Sequence, residues 1–183
     1  MIQSKLFAAL VLAGTALGAQ YAHAADGTIT FVGKVTAQTC TINGNGTNGK
    51  NFTVTLPTVS SSTLQAAAST AGRTPFTIAL TNCEPTAGNV HTFFESGATT
   101  DLSTGNLILD SGPAPVATNV QIGLLNADAS PIKAGFADAQ QNSKTVALSN
   151  GAATLQYYAQ YVSTGNAGAG SANSSVMYTI AYE

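Results

Sequence analysis

The stretch Phe76-Thr77-Ile78-Ala79-Leu80-Thr81-Asn82-Cys83 sets the fold class. Phe76, Ile78 and Leu80 alternate with Thr77, Ala79 and Thr81, the period of a half-buried strand. The same period recurs along the chain in both directions. Upstream, in Thr28-Ile29-Thr30-Phe31-Val32-Gly33-Lys34-Val35, Ile29, Phe31 and Val35 share a face with Gly33, and Val32 is the apolar exception. Downstream, Val120, Ile122 and Leu124 alternate with Gln121 and Gly123. Leu155, Tyr157, Ala159 and Tyr161 share a face, and so do Val176, Tyr178, Ile180 and Tyr182. Turn-forming clusters rich in Gly, Asn, Ser and Pro separate these runs, at 43–51, 111–113, 126–131, 149–151 and 165–173. The one helix the sequence predicts is short, Ser62 to Ala68, capped by Ser61 or Ser62. Many short strands with almost no helix predict an all-β sandwich in a single domain.

The N-terminus fixes the compartment. Lys5 supplies an early positive charge, Leu6 to Gly18 is an uncharged apolar run, and Ala22-His23-Ala24 has the small residues of a cleavage site. This is the pattern of a secretory leader over residues 1–24. Cys40 and Cys83, the two cysteines of the chain, are then expected to form a disulfide in an oxidising compartment.

Only 8% of residues are charged, with a net charge of −2. That balance offers no phosphate-neutralising surface and argues against nucleic acid as a partner. Catalysis has little to stand on. His91 is the only histidine after the leader and sits in the strand-like Asn89-Val90-His91-Thr92-Phe93. The carboxylates are scattered, there is no Gly-x-Ser-x-Gly elbow, and the Gly-rich runs 43–49 and 165–170 lack a phosphate-loop Lys. No catalytic residue, cofactor site, metal site or small-molecule substrate is expected. A secreted carbohydrate-binding module is the rival reading, although the chain lacks Trp. Tyr158, on the face opposite Tyr157 and Tyr161, would be its first candidate contact.

Two ends of the chain remain. The alternating segment before Cys40 could pair within its own domain or leave it to complete another; taken bare, the pattern favours the first. The last alternating run reaches the last residue but one, leaving an edge that something must cover.

At these residues the sequence resembles the chaperone–usher pilins, specifically type 1 fimbrial major subunits. The resemblance rests on Gly27 to Val35 followed by Cys40, and on Leu56-Pro57 through Leu64-Gln65 and Gly72-Arg73-Thr74-Pro75 to Cys83. It continues in Asn119 to Asn126 and in Leu155 to Asn173, with a penultimate Tyr182 and with Gly170 fourteenth from the end. The terminal Glu183 departs from the family's uncharged residue.

The resemblance implies an immunoglobulin-like sandwich lacking its final strand: a leader (1–24), a donor-strand extension (25–38) and a pilin domain (39–183). It implies polymerisation by donor-strand exchange, in which Ile29, Phe31, Gly33, Val35 and Ala37 of one subunit enter a neighbour's groove. Gly33 would lie where that groove is shallow. The groove would run along the C-terminal strand at Gly170, Val176, Tyr178, Ile180 and Tyr182, occupied first by a periplasmic chaperone. The implied partners are identical or related pilin subunits, that chaperone and an outer-membrane usher. The implied destination is a surface fimbrium reached through the periplasm. A minor adaptor of the same pilus is the nearer alternative to a shaft subunit.

Overall fold

The computed structural model describes residues 26–33, 35, 37, 39–110 and 112–183. The expected leader, residues 1–24, lies outside them. The chain divides into two units, one up to Val35 and one from Thr36 onward. In the first, Asp26–Gly33 carries no assigned strand or helix, although its sequence alternates. Ile29, Phe31, Val32 and Val35 are all exposed. Period-2 patterning prepares a chain for pairing, but a strand exists only with a neighbour to bond to.

The second unit is a two-sheet sandwich. Its strands are β1 (Thr39–Gly44), β2 (Thr70–Glu84), β3 (Gly88–Phe94), β4 (Leu107–Ile108), β5 (Thr118–Asn126), β6 (Pro131–Ile132), β7 (Val146–Leu148), β8 (Ala153–Gly168) and β9 (Tyr178–Tyr182). The larger sheet runs β1-β2-β8-β5-β4, with β6 also on β5, and the smaller runs β7-β3-β9. All the strand pairs are antiparallel.

The opening stretch lies at the centre of β2, where Phe76, Ile78 and Leu80 are buried as the alternation requires. They pair across to Tyr157, Leu155 and Ala153 of β8. The inner faces of both sheets meet in one core, which includes Ile78, Leu80, Val90, Phe94, Leu155, Tyr157 and Ile180. Tyr157 centres it: its ring lies 5.5 Å from Phe76 and 5.5 Å, edge-on, from Phe94 of the opposite sheet.

The expected disulfide Cys40–Cys83 is present and ties β1 to the end of β2. The helix expected over Ser62 to Ala68 is instead a single 3₁₀ turn, Ser61–Leu64, capped by the Ser60 side chain. Its continuation is diverted to β8. Ala68 turns to a φ of +65° and donates to the Ser163 carbonyl at 2.8 Å, while Ser163 Oγ donates to the Ala66 carbonyl. Those bonds outweigh the modest helix propensity of Leu-Gln-Ala-Ala. The expected turn at 165–173 also begins later, because β8 runs on to Gly168.

A short helix that the sequence did not announce, α1 (Asp138–Gln141), packs by β3. Gln141 is wholly buried there. Its Nε2 donates to the carbonyls of Phe94 (2.8 Å) and Phe136 (2.9 Å), and its Oε1 accepts from the Phe94 amide (3.0 Å). No helix among the described residues is long and apolar enough to cross a membrane.

Candidate functional site: an open groove along the last strand

β9 is the edge of the smaller sheet. It is paired on one side to β3, from Tyr182 opposite Val90 to Tyr178 opposite Phe94. On its other side the next chain segment is residues 51–59, which no sheet includes. That segment alternates: Phe52, Val54 and Leu56 are half-buried, whereas Asn51, Thr53, Thr55 and Pro57 are exposed. Among the described residues none of its amides or carbonyls joins a backbone hydrogen bond. Two unpaired edges thus face each other. Unpaired backbone groups at a buried edge are costly unless something bonds to them.

Between the edges lies a groove of about 880 Å³. One wall is Lys50–Leu56 and the other is Ser174–Ile180 with Tyr182. Its floor exposes core side chains of the larger sheet, among them Phe76, Ile78, Ile122 and Leu124. Of the groove residues named from the sequence, Val176, Tyr178, Ile180 and Tyr182 all line it. Gly170 does not. It lines instead a smaller hollow past Ser174, packed against residues 115–117, where an added Cβ would lie 2.4 Å from the Ala117 nitrogen and 2.5 Å from the Pro115 oxygen. The proposed donor residues Ile29, Phe31, Gly33 and Val35 lie in the other unit, and Ala37 is exposed at the start of this one.

The middle of the groove is crowded. Phe52 packs edge-on against Tyr178 with ring centroids 6.1 Å apart, and against Phe76 at 6.1 Å. The Tyr178 hydroxyl donates across the groove to the Lys50 carbonyl at 2.6 Å. Burial pushes the phenols of Tyr178 and Tyr182 above their usual range, so both stay neutral at ordinary pH. Phe52 lies flat over Gly44, where even a methyl group would collide with its ring. The wall at 51–56 went unrecognised in the sequence. Its signal was there in Phe52-Thr53-Val54-Thr55-Leu56, the same period-2 alternation as elsewhere.

His91 lies outside this groove. It is buried in β3, with Nε2 bonded to Asp138 Oδ1 at 2.8 Å and Nδ1 3.5 Å from the Glu183 carboxylate. Tyr158 is half-buried in β8 opposite Leu125.

Residues 56–183 match the family model described as FimA, type-1 fimbrial protein, A. The chain belongs to the type-1 fimbrial protein family. The major fimbrial subunit SMF-1 of Stenotrophomonas maltophilia is 54% identical over 165 residues, covering 88% of this chain and 95% of that one. The F17 fimbrial protein of Escherichia coli is 47% identical over 178 residues, 94% of this chain and 95% of its own. In fold the fimbrial protein is similar to a subunit in a solved chaperone–usher pilus, with a TM-score of 0.58 at 18% identity. That likeness covers 87% of this chain and 96% of the other. The protein is a structural subunit of a surface fimbria, with the immunoglobulin-like sandwich of such pilins.

Proposed function

We propose that this fimbrial subunit builds a shaft by donor-strand exchange, with residues 25–38 as the donated arm and 39–183 as the receiving domain. The observation that carries this reading is the open groove between β9 and residues 50–56, which has the two unpaired edges and apolar floor that a single added strand would satisfy. The arm has the complementary chemistry: Ile29, Phe31 and Val35 are exposed and alternate on the face that Gly33 shares. Added strands gain affinity from the backbone ladder and register from alternate side chains. Burying Ile29, Phe31 and Val35 contributes about 4.5–9 kcal/mol at ~1.5–3 each. Separating a joint would also reopen a folded core, so the fibre persists by slow dissociation.

In the periplasm a chaperone strand holds the groove before the next subunit's arm replaces it at the outer-membrane usher. The 54% identity to a major subunit favours a shaft role over an adaptor. The protein acts by assembly and not by catalysis: its buried His91 is held by Asp138 away from the groove.

The test is made on the arm. Exchanging Gly33 for a bulky residue, or deleting Asp26 to Gln38, leaves chaperone binding intact and stops polymerisation. Normal fibres from either variant would refute the assignment.

A further inference from the structure

The groove does not end at Ser174. Both of its walls run on past it, Leu56 into Thr58–Leu64 and Ser174 back into Ala167–Asn173, and between these continuations lies a second hollow of about 360 Å³. Leu64, Val59, Tyr161 and Val120 line it, and among the described residues no charged side chain does. Resting on the donor-strand reading, we propose that this hollow seats the disulfide-bearing end of the copy that donates the arm, so that each joint of the fibre is a domain contact as well as an inserted strand.

The register of the arm places that copy. Five groove-lining positions of β9 and its lead-in share one parity and are buried or half-buried, Tyr182, Ile180, Tyr178, Val176 and Ser174, whereas Ser175, Met177 and Thr179 between them are exposed. Five arm positions share a face: Ile29, Phe31, Gly33, Val35 and Ala37. The middle of the groove is the crowded place, filled by Tyr178 and Phe52. The middle of the arm is the residue without a side chain. Aligning the two sets Gly33 opposite Tyr178 in either strand direction.

The direction follows from the fact that every internal copy both gives an arm and receives one. The arm leaves its own domain at Thr39–Thr41, where the disulfide ties Cys40 to Cys83 and Thr39 pairs with Glu84. The C-terminal end of β9 is at this same end of the domain, because Glu183 exchanges backbone hydrogen bonds with Asn89, five residues beyond Glu84. A parallel arm would bring the donor domain to that end, crowding both joints of each copy into one place. An antiparallel arm puts Ile29 opposite Tyr182 and Ala37 opposite Ser174, and sends the donor domain to the far end. Antiparallel pairing is also the more stable ladder. Three further residues along each strand, about 10 Å at ~3.3 Å per residue, bring the donor's Cys40 beside Ser171 on the rim of the hollow. The contact is head-to-tail between unlike surfaces, the kind that propagates an open fibre. Because the disulfide fixes the arm's root to its domain, the seat would set the angle between successive subunits.

The test uses fibres assembled in cells from the full chain with its chaperone and usher. A benzophenone amino acid replaces Thr58 or, separately, Asn173, both exposed on the hollow's rim. After irradiation, shearing and boiling, each should give a two-subunit band whose peptides join the labelled rim to residues 39–41 or 82–86 of another copy. Intact fibres with no such band, or with links to a different face, overturn the seat while leaving the arm reading in place. A probe at Asn89 that captures the neighbour's 82–86 would show parallel insertion and overturn it equally. Fibres that assemble after deletion of Asp26 to Gln38 would instead defeat the donor-strand reading itself.

Discussion

Gly170 offers the sharpest check on the architecture, because the family pattern and the structure give it different neighbours. A Cβ at this position would lie 2.4 Å from the Ala117 nitrogen, 2.5 Å from the Pro115 oxygen and 2.5 Å from the Val116 carbonyl carbon. All three contacts are backbone, so no side chain can swing aside to relieve them. Relief requires Ser171 to part from 115–117, which stretches two hydrogen bonds: Ala117 N–H to the Ser171 carbonyl (2.9 Å) and Ser171 N–H to the Pro115 carbonyl (2.8 Å). At ~0.5–1.5 kcal/mol each, Gly170→Ala costs about 1–3 kcal/mol, the usual range for an overpacked site. For a domain of this size that lowers the melting midpoint by roughly 2–12 °C. The assay is thermal unfolding of the chaperone-bound subunit purified from the periplasm, alongside the rate at which a peptide of residues 25–38 displaces the chaperone. The expected result is a lower midpoint with an unchanged displacement rate. An unchanged midpoint with impaired displacement would refute the reasoning and give Gly170 a part in receiving the arm.

Replacing both Cys40 and Cys83 with Ser removes a 43-residue separation from the list of closed loops and about 4 kcal/mol of unfolded-state constraint. Against a typical margin of ~5–15 kcal/mol, the variant should be depleted in the periplasm, read as subunit yield with and without reductant. Gln141→Leu leaves the Phe94 amide and the Phe94 and Phe136 carbonyls without their buried partner, so urea unfolding should show a loss of about 2–4 kcal/mol. Asp101 is held well below the usual carboxylate range, first by the Ser103 hydroxyl at 2.6 Å and then by the Gln121 amide at 2.7 Å and the Ser103 N–H. The folded carboxylate therefore binds its proton less tightly than the unfolded one, and its contribution is present above about pH 4 and lost in stronger acid. The gap in melting midpoint between the native chain and Asp101→Ala should be constant from pH 8 to about pH 5 and should narrow below about pH 4.

The strands that alternate most strongly were legible directly. Phe76, Ile78 and Leu80, and Leu155, Tyr157 and Ala159, go to the core because each apolar face has a sheet opposite it. The groove side of β9 was legible for the same reason, from Val176 to Tyr182. What escaped the sequence depends on partners far along the chain. The Ser62–Ala68 stretch has helix-forming residues, but Ser163, about a hundred positions later, takes its backbone bonds. The wall at Phe52–Leu56 alternates like a strand, yet it follows a long Gly/Asn run and ends at Pro57, so turn chemistry masked it. Gly170 is a close-approach glycine whose neighbour, the 115–117 loop, only the fold identifies.

The Tyr178 bridge bears on how an empty groove behaves. A tyrosine's reach plus a 2.6 Å hydrogen bond spans about two strand spacings, ~9.5 Å, the width that one missing strand leaves. The phenol is thus a spacer bar, propping the walls at the gauge of their future occupant. Without such a prop, hydrophobic collapse would draw Phe52 and Val176 together and shut the cleft. With it, an arriving strand meets a slot already cut to width, and it takes over the Lys50 carbonyl as it moves the Tyr178 and Phe52 rings aside.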